Sequence, residues 1–520
     1  MNADNLPAAP GEAVPQYLSG FPLLALTFAV ALATFMELLD LTIVNVAIPH
    51  IAGSLGVSPN QGTWTISSYS VAAAVALPLT GWIAKRFGEV RVFIAALLFF
   101  TLISMFCGMA VNFPMLVTLR VFQGLISGPM VPLAMAILLA NYPPAKRGMA
   151  LAIWSTTVIV APILGPLLGG YITDHMNWRW IFYINAPLGV MAAYVTFVLL
   201  RGRETKIRKD PVDVVGLVLL IIGVGSLQMM LDRGQELDWF GSREIVTLTL
   251  VAVVALTFFL AWELTDRHPI VDLTLFARRN FSVGILALGT GIICTFGMNL
   301  LFPLWLQTVM GYTAGWAGLS VAPVGILSII VSPIVGAYLH RVDLRLFATF
   351  AFIVFGITAF WYGSFNLDAS FNQLIVPRFF QGLGISCFFV PVNQIILSGL
   401  PPERFAAASG LLSFFRSLAI SFGTAISVTL WSNRTIYHHA RLTEHVTSTN
   451  PAAVDYLQRL SAVLPSKEAA YSYLERLVNA HGFMLGINDV FWAIGVLFFF
   501  LIGVIWLAKP PFGTAGHLDH

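Results

Sequence analysis

Long apolar runs separated by short polar segments dominate this sequence. Each run is about 20 residues long, which is the length that an α-helix needs to cross the hydrocarbon core of a bilayer. The runs lack the strict alternation of apolar and polar residues that is typical of membrane β-barrel strands. A hydropathy window of about 19 residues predicts about fourteen membrane-spanning helices. They lie at roughly 23–48, 63–84, 91–110, 115–139, 148–172, 180–200, 212–231, 245–264, 282–306, 315–338, 346–364, 373–398, 405–430 and 484–508.

The composition of the 520 residues supports the same conclusion, an all-α polytopic membrane protein. Hydrophobic residues make up 58% of the chain and charged residues only 10%, whereas an ordinary soluble domain carries roughly a quarter. So little charge is not enough to cover the surface of a soluble protein of this size. The net charge of +3 produces no field that would attract nucleic acid. The sequence therefore excludes a soluble enzyme, a nucleic-acid-binding protein and a disordered scaffold.

Basic residues in the connecting segments predict the orientation in the membrane. They are concentrated on the side that carries both termini, as in Lys85-Arg86 and the segment 201–209. The short segments of the opposite side contain few basic residues, namely Arg179, Arg233 and Arg243. Because short loops rich in Lys and Arg stay in the cytoplasm, we expect both termini on the cytoplasmic face.

Two motifs occur twice along the chain. Arg120-Val-Phe-Gln-Gly124 in the fourth predicted span recurs as Arg378-Phe-Phe-Gln-Gly382 in the twelfth. Pro78-Leu-Thr-Gly81-Trp-Ile-Ala-Lys85-Arg86 resembles Pro333-Ile-Val-Gly336-Ala-Tyr-Leu-His340-Arg341 at nearly the same offset. Repeats in the same predicted orientation indicate two parallel halves that can move about a site between them.

The repeats divide the chain into two halves and an insertion. We predict an N-terminal six-helix half at 1–200, an inserted two-helix pair with its linkers at 201–281, and a C-terminal six-helix half at 282–520. The inserted pair contains no interior charge in this prediction apart from Glu263, so we expect it at the periphery, away from the central cavity. The last half includes a long segment, 431–483, which our orientation places on the outer side.

The long segment 431–483 contains a predicted amphipathic helix. Apolar residues between Ser466 and Gly482 recur at helical spacing, with Ser466 as the N-cap and Gly482 as the stop. Such a helix needs a surface to cover its apolar stripe. It either folds back on the bundle as a lid or forms a docking surface for a partner protein.

Two carboxylates in the first span are candidates for proton coupling. Glu37 and Asp40 are three residues apart and therefore share one helix face. Two carboxylates so placed away from water do not easily ionise together, so their protonation is expected to be coupled. Ionisable residues inside the bilayer are costly and most often functional. The alternative is a pair of structural hydrogen bonds that hold the span in the bundle.

Three arginines fall inside predicted spans. Arg120 is the expected countercharge of the carboxylate pair, and its alternative role is a static bond to backbone carbonyls. Arg378 is expected nearer the membrane surface, and the neighbour of Arg416 is open. Arg416 is grouped with other polar residues of the first, fourth and second-half spans as a candidate lining of the substrate cavity. The others are Asn45, Gln123 and Gln381.

The fifth span contains a run of small residues and prolines. Its candidate structural residues are Pro162, Gly165, Pro166, Gly169 and Gly170. Small residues four apart permit close helix packing, and a proline bends the helix. The run predicts either tight packing alone or a dry seam between the halves that stops ion leakage, and the two readings are compatible.

A tight turn follows the second span. Gly81 and Arg86 precede it and Gly88 is its expected turn residue. The charges there either bridge two helices in one conformation or serve only as a positive-inside anchor.

Seven stretches distributed over nearly the whole chain resemble the major facilitator superfamily, specifically its fourteen-span drug:proton antiporters and the pumps of tripartite efflux systems. These stretches are Leu39-Asp40-Leu-Thr-Ile-Val-Asn45-Val-Ala-Ile-Pro49, Gln61-Gly-Thr-Trp64, Arg120-Val-Phe-Gln-Gly124, Asn141-Tyr-Pro-Pro-Ala-Lys-Arg147, Gly165-Pro166 with Gly169-Gly170, Leu231-Asp-Arg-Gly-Gln-Glu-Leu-Asp-Trp239, and Trp506-Leu-Ala-Lys-Pro-Pro-Phe512.

The resemblance implies a proton-driven exporter of hydrophobic and amphipathic compounds in a bacterial inner membrane. It implies that Asp40 is the acidic residue of the first-span motif and Arg120 the arginine tied to proton coupling. No cofactor is implied, and the implied partners are a periplasmic adaptor and an outer-membrane channel. Lys85 stands where the family's cytoplasmic turn has an acid, and Ala161 where its antiporter motif has a glycine.

Two other function classes compete with this interpretation. A proton-coupled importer would use the same fold, since fold does not determine function. A membrane-embedded receptor or enzyme is the second alternative, but the chain contains no phosphate-binding loop, zinc-protease motif or nucleophile elbow.

Overall fold

The computed structural model describes residues 18–143, 147–204, 207, 213–266, 269–339, 341–400 and 402–512. Across these ranges the chain is helical, with no β-strand. Both chain ends and parts of the basic segment 201–209 lie outside the described residues, as do Pro144 to Lys146 and His340 of the sequence motifs.

Twenty α-helices follow one another along the described chain. They are α1 (Gly20–Leu55), α2 (Pro59–Gly62), α3 (Trp64–Ala76), α4 (Thr80–Phe87), α5 (Glu89–Gly108), α6 (Phe113–Ser127), α7 (Met130–Asn141), α8 (Arg147–His175), α9 (Trp180–Tyr183), α10 (Asn185–Leu200), α11 (Val214–Arg233), α12 (Arg243–Thr265), α13 (Arg279–Thr308), α14 (Ala314–Val321), α15 (Pro323–Tyr338), α16 (Leu344–Tyr362), α17 (Phe371–Leu397), α18 (Pro402–Thr443), α19 (Pro451–Val463) and α20 (Lys467–Ile505).

The helices assemble into spans that match the predicted set. Thirteen helical stretches of the described residues are long and apolar enough to cross a membrane. Four of them combine shorter helices, namely Pro59–Phe87, Phe113–Asn141, Trp180–Leu200 and Ala314–Tyr338. The 29-residue helix α8 is also of spanning length, at about 1.5 Å of rise per residue. The all-α architecture with about fourteen spans is thus confirmed.

Helix packing follows the two repeats. In the first half, α1 packs against α8 and α10, and α3 packs against α6. In the second half, α13 packs against α17, α18 and α20. The buried apolar side chains of these contacts form two large clusters, and the first extends from α1 into the second half.

The inserted pair, α11 and α12, attaches to the bundle through α11. This helix packs against α3 and α18, whereas α12 packs mainly on α11 and exposes apolar residues such as Phe258. The expectation that Glu263 is the pair's only interior charge is wrong. Asp232 accepts hydrogen bonds from Ser67 Oγ at 2.7 Å and from Gln228 Nε2 at 2.8 Å. A carboxylate near the end of α11 therefore anchors the pair to α3.

The segment 431–483 is not a long loop. Its flanks continue the last two spans as helices, since α18 has 42 residues and α20 has 39. At 1.5 Å per residue each is about 60 Å long, twice the hydrocarbon thickness of about 30 Å. We call residues 432–482 the outer hairpin, which comprises the ends of α18 and α20 and the helix α19 between them.

The predicted helix of the outer hairpin begins where expected but does not stop where expected. Ser466 caps α20, because its Oγ accepts a hydrogen bond from the backbone N–H of Ala469 at 3.1 Å. Gly482 is not a stop, since α20 continues to Ile505. A Cβ at Gly482 would lie 3.4 Å from His439, so this glycine is a packing contact between α20 and α18.

Polar contacts hold the base of the outer hairpin. Arg434 Nη2 lies 2.5 Å from Asp489 Oδ2, and His438 Nε2 lies 2.7 Å from the same oxygen. Trp431 Nε1 donates to the carbonyl oxygen of Phe483 at 3.0 Å. Above this base, α19 packs on α20 and buries none of its own residues. The hairpin therefore extends the paired helices beyond the apolar spans.

Candidate functional site

A buried ion pair lies at the centre of the first half. Asp40 Oδ2 of α1 lies 2.5 Å from Arg120 Nη1 of α6, and both side chains are fully shielded from solvent. Removing one member of a buried pair costs about 3–5 kcal/mol because the other charge is left unpaired. The pair therefore holds α1 against α6, and changing the charge of Asp40 would release that contact.

Two side-chain amides complete the hydrogen bonding of Asp40. Asn185 Nδ2 donates to Oδ1 at 2.7 Å, and Gln123 Nε2 donates to the same oxygen at 3.3 Å. Gln123 Oε1 also accepts from Arg120 Nη1 at 2.9 Å. Gln123 is thus placed beside the carboxylate and is fully buried, which differs from the cavity-lining position that we expected.

Asn185 was missed by the sequence interpretation. It is fully buried at the start of α10 and also donates to Ser104 Oγ at 3.0 Å. Its only signal in the sequence is a polar amide at the border of an apolar run. Asp40 of α1 is thus bonded to two other spans, to α6 through Arg120 and to α10 through Asn185.

Arg120 has further contacts on α3. Its Nε donates to the carbonyl oxygen of Thr65 at 2.9 Å, and its guanidinium lies 4.2 Å from the ring centroid of Tyr69. The backbone contact and the ion pair occur together, so the two roles that the sequence left open for Arg120 are both present. The arginine is the common partner of α1 and α3.

Glu37 has a different environment from Asp40. One carboxylate oxygen, Oε2, is buried and has no hydrogen-bond partner among the described residues. The opposite charge of Arg416, on α18 in the second half, acts on Glu37, but no salt bridge joins these two described residues. Glu37 therefore lies outside the ion pair, whereas Asp40 is bonded within its own half.

The remaining candidate residues for substrate binding lie at different depths. Asn45 is buried on α1, five residues beyond Asp40. Gln381 is also buried and its Oε1 accepts a hydrogen bond from Arg378 Nη1 at 2.9 Å. The Arg378 side chain is fully buried among neighbouring helices, and its depth in the membrane stays a prediction.

The small residues of α8 form two contact surfaces. A Cβ at Gly165 would collide with Thr42, and one at Gly169 would lie 2.5 Å from the carbonyl oxygen of Ile43, both on α1. A Cβ at Gly170 would collide with the backbone of Ala314 on α14, in the second half. Pro162 and Pro166 lie within the same helix. This arrangement places α8 tightly between α1 and the second half.

Hydrogen bonds join the halves at the helix ends opposite the chain termini. Asp174 Oδ2 accepts from the backbone N–H of Gly315 at 2.7 Å, and Gln307 Nε2 donates to the carbonyl oxygen of Val46 at 3.0 Å. At this end α8 packs closely on α14. Helix α15 lies nearer the other end, and α8 packs on it much less closely. The halves are therefore closed at the end away from the termini.

The turn after the second span is held by an acid that the sequence interpretation missed. Gly88 has a φ of 96°, so it is the turn residue that was expected, and a Cβ there would collide with Glu204. The Glu204 carboxylate accepts from the backbone N–H groups of Val90 and Arg91, both at 3.0 Å. A Cβ at Gly81 would meet nothing within 4 Å, so Gly81 has no packing role in this conformation.

Comparison with known proteins gives a consistent result. The sequence matches the family model of the Major Facilitator Superfamily over residues 30–424. It is 50% identical over 500 residues to the multidrug export protein EmrB of Escherichia coli K12, covering 96% of this chain and 98% of that protein. It is 46% identical over 499 residues to the fatty acid resistance protein FarB of Neisseria gonorrhoeae, again covering 96% and 98%.

Solved structures agree in fold. A peptide transporter POT in complex with sulfate is 15% identical with a TM-score of 0.62, covering 96% of this chain and 98% of that one. A bacterial homologue of the human lysosomal transporter Spinster, in an inward-facing and unoccupied conformation, is 16% identical with a TM-score of 0.60, covering 95% and 100%. The predicted family is confirmed: the chain belongs to the major facilitator superfamily, in the family of the multidrug export protein EmrB.

Proposed function

We propose that this chain is a proton-coupled antiporter that exports hydrophobic and amphipathic compounds, among them drugs, across the inner membrane of a bacterium. Its family consists of secondary transporters and not enzymes. The observation that carries the proposal is the fully buried pair of Asp40 and Arg120. A titratable acid held by one arginine inside a membrane domain is a site that one proton can switch.

Protonation of Asp40 would act through its hydrogen bonds. The charged carboxylate accepts from three donors, on Arg120, Gln123 and Asn185. A proton on Asp40 neutralises the charge that Arg120 faces and turns one oxygen into a donor. The attraction that holds α1 to α6 and α10 is then reduced. The conformation with these helices together loses stability relative to one in which they separate.

Helix α1 transmits this change to the interface between the halves. Val46 of α1 accepts a hydrogen bond from Gln307 of α13, and the charge of Arg416 on α18 acts on Glu37, one turn before Asp40. Movement of α1 therefore alters contacts with the second half. Two polar residues, Arg416 and Asn45, are our candidates for substrate contact, within surroundings that are mainly apolar.

The orientation we expect indicates to which side of the membrane this conformation opens. With both termini in the cytoplasm, the closed end of the molecule faces outward, and this conformation would receive substrate from the inner side. An importer on the same fold remains the alternative function. Export requires that substrate and proton favour opposite conformations, whereas import with a proton requires that they favour the same one.

We further propose that the pump belongs to a tripartite system, with a periplasmic adaptor of the EmrA type and an outer-membrane channel of the TolC type. The outer hairpin supports this proposal. Its helix α19 buries none of its residues, and apolar or aromatic side chains such as Val463, Tyr471 and Tyr473 are exposed on it or beside it. Exposed apolar surface of this kind is typical of a docking site for a partner protein.

Transport by purified protein tests the function. In proteoliposomes, an imposed pH gradient, acidic on the outer-face side, should drive uphill movement of a fluorescent amphipathic cation, and an uncoupler should abolish it. Counterflow and proton-driven uptake in inverted vesicles distinguish the two directions. Accumulation of the dye together with the proton flux, instead of against it, would establish the importer and contradict our proposal.

A further inference from the structure

The buried arginine of the second half has no acidic partner, although its surroundings repeat those of Arg120. In the first half, Arg120 Nη1 donates to the carboxylate of Asp40 at 2.5 Å. In the second half, Arg378 Nη1 donates to Asn299 Oδ1 at 2.6 Å and to Gln381 Oε1 at 2.9 Å. An amide therefore stands where the first half has its acid.

The positive charge of Arg378 is left without compensation by the protein. Its side chain is fully buried and forms no salt bridge with a carboxylate of the described residues. Its third acceptor, the carbonyl oxygen of Met298 at 3.4 Å, is also neutral. Its guanidinium lies 4.2 Å from the ring centroid of Phe302, an attractive contact that leaves the net charge unchanged. Buried charges in proteins are as a rule paired.

Three hydrogen-bond donors around Phe302 have no acceptor. They are Arg378 Nε, Trp305 Nε1 and Tyr362 Oη, all buried and without a hydrogen-bond partner in the described part of the chain. The Phe302 ring centroid lies 5.9 Å from that of Trp305 and 5.0 Å from that of Tyr362. Arg378 lies 5.6 Å from the Tyr362 ring. Unsatisfied donors are rare in protein interiors. Arg120 Nη2 and Tyr69 Oη are also unsatisfied in the first half, but there Asp40 compensates the charge. The second half has three free donors and, among the described residues, no carboxylate paired with Arg378.

We propose that this group of residues binds one small monovalent anion, which is chloride in the cell. We call it the Arg378 cluster: Asn299, Phe302, Trp305, Tyr362 and Arg378. An anion provides both an acceptor for the free donors and the negative charge that the cluster lacks. A water molecule would provide the acceptor but not the charge. The bound ion would compensate the charge of Arg378 as Asp40 compensates that of Arg120, but it would not titrate.

Chloride binding to the purified full-length protein tests this proposal. Radioactive chloride should bind at one saturable site. The melting temperature should increase with the chloride concentration, when gluconate is used to keep the ionic strength constant. Asn299→Asp supplies a carboxylate to Arg378 in the geometry that Asp40 has toward Arg120. We expect this variant to bind chloride at least tenfold more weakly and to melt at a temperature independent of chloride.

Two further variants make the test decisive. Trp305→Phe removes one free donor but keeps an aromatic ring, and should weaken chloride binding several-fold. Asn60→Asp introduces the same change of charge at a partly exposed position on α2, in the first half, and should leave chloride binding unchanged. Wild-type protein without a saturable chloride site would overturn the proposal, and so would Asn299→Asp with wild-type affinity. Should Asn299→Asp fail to fold, unchanged affinity in Trp305→Phe would refute it.

Discussion

Replacement of Asp40 by Asn separates proton coupling from substrate binding. The amide has nearly the size of the carboxylate but neither carries a charge nor titrates. We expect Asp40→Asn to insert, bind substrate and exchange it across the membrane, but to lose uphill transport driven by a pH gradient. The physical reason is that the ion pair with Arg120 is the contact whose strength a proton can change.

The magnitude follows from the geometry of the pair. Two unit charges about 4 Å apart attract each other by about 4 kcal/mol at an effective dielectric constant of about 20. Because about 1.4 kcal/mol corresponds to a factor of ten, loss of this attraction shifts a conformational equilibrium by roughly a thousandfold. A shift of that size is enough to move most of the molecules from one conformation to another.

The variant should still fold. Leaving an arginine unpaired in the interior typically costs about 3–5 kcal/mol. The new amide would still accept a hydrogen bond from Arg120, as Asn299 Oδ1 accepts one from Arg378 at 2.6 Å in the second half. We therefore expect Asp40→Asn to cost about 3 kcal/mol of unfolding free energy, at the lower limit of that range.

The assay compares two transport modes in the same proteoliposomes. Uphill dye accumulation under a pH gradient reports coupling, and dye exchange without a gradient reports substrate binding and conformational change. Glu37→Gln is the matched control, since Glu37 lies on the same helix but outside the ion pair. It should retain uphill transport with a shifted pH optimum. Asp40→Asn that accumulates dye at the wild-type rate would refute the reasoning, and equal inactivity of both variants would show that the carboxylates act as one unit.

Three further predictions concern packing, the inserted pair and the outer hairpin. Gly169→Ala should lower the unfolding free energy by about 1–3 kcal/mol, because its Cβ would lie 2.5 Å from a backbone oxygen. Gly81→Ala is the control: its Cβ would meet nothing within 4 Å and alanine favours the helix, so it should not lower the melting temperature. Single cysteines on residues 243–265 should be labelled equally with and without substrate; protection by substrate would contradict a peripheral position. Replacement of 440–480 by a short Gly/Ser linker should spare transport by the isolated pump and abolish co-purification of the adaptor and whole-cell resistance. Retained co-purification would exclude the outer hairpin as the docking site.

The spans and the charged centre could be predicted because the membrane imposes strong constraints. A run of about 20 apolar residues has few structural alternatives, so most span positions followed from hydropathy alone. Charged residues in such runs are costly, which made Asp40 and Arg120 candidates before any contact was known. Local backbone requirements were readable too, as the φ of 96° at Gly88 and the cap at Ser466 show.

The partners of these residues depended on the tertiary structure. Asn185 and Glu204 are far in sequence from the groups they bind, and a single polar residue at the end of a span has no periodicity that reveals it. Gly482 was read as a helix stop because an isolated glycine favours an end. In the structure it is a contact point between α18 and α20, and helix packing overrides its local preference.

The sequence by itself determined that this is an α-helical membrane protein, and it identified the buried acid and its arginine. Its repeats also predicted the two halves. Each of these depends on residue type and order along one chain. The tertiary structure alone decided which charge remains without a partner. Arg120 and Arg378 stand in nearly identical motifs, but one meets Asp40 and the other meets Asn299. Whether a buried charge is compensated depends on the side chain that another helix brings to within hydrogen-bond distance, and only the folded bundle shows which side chain that is.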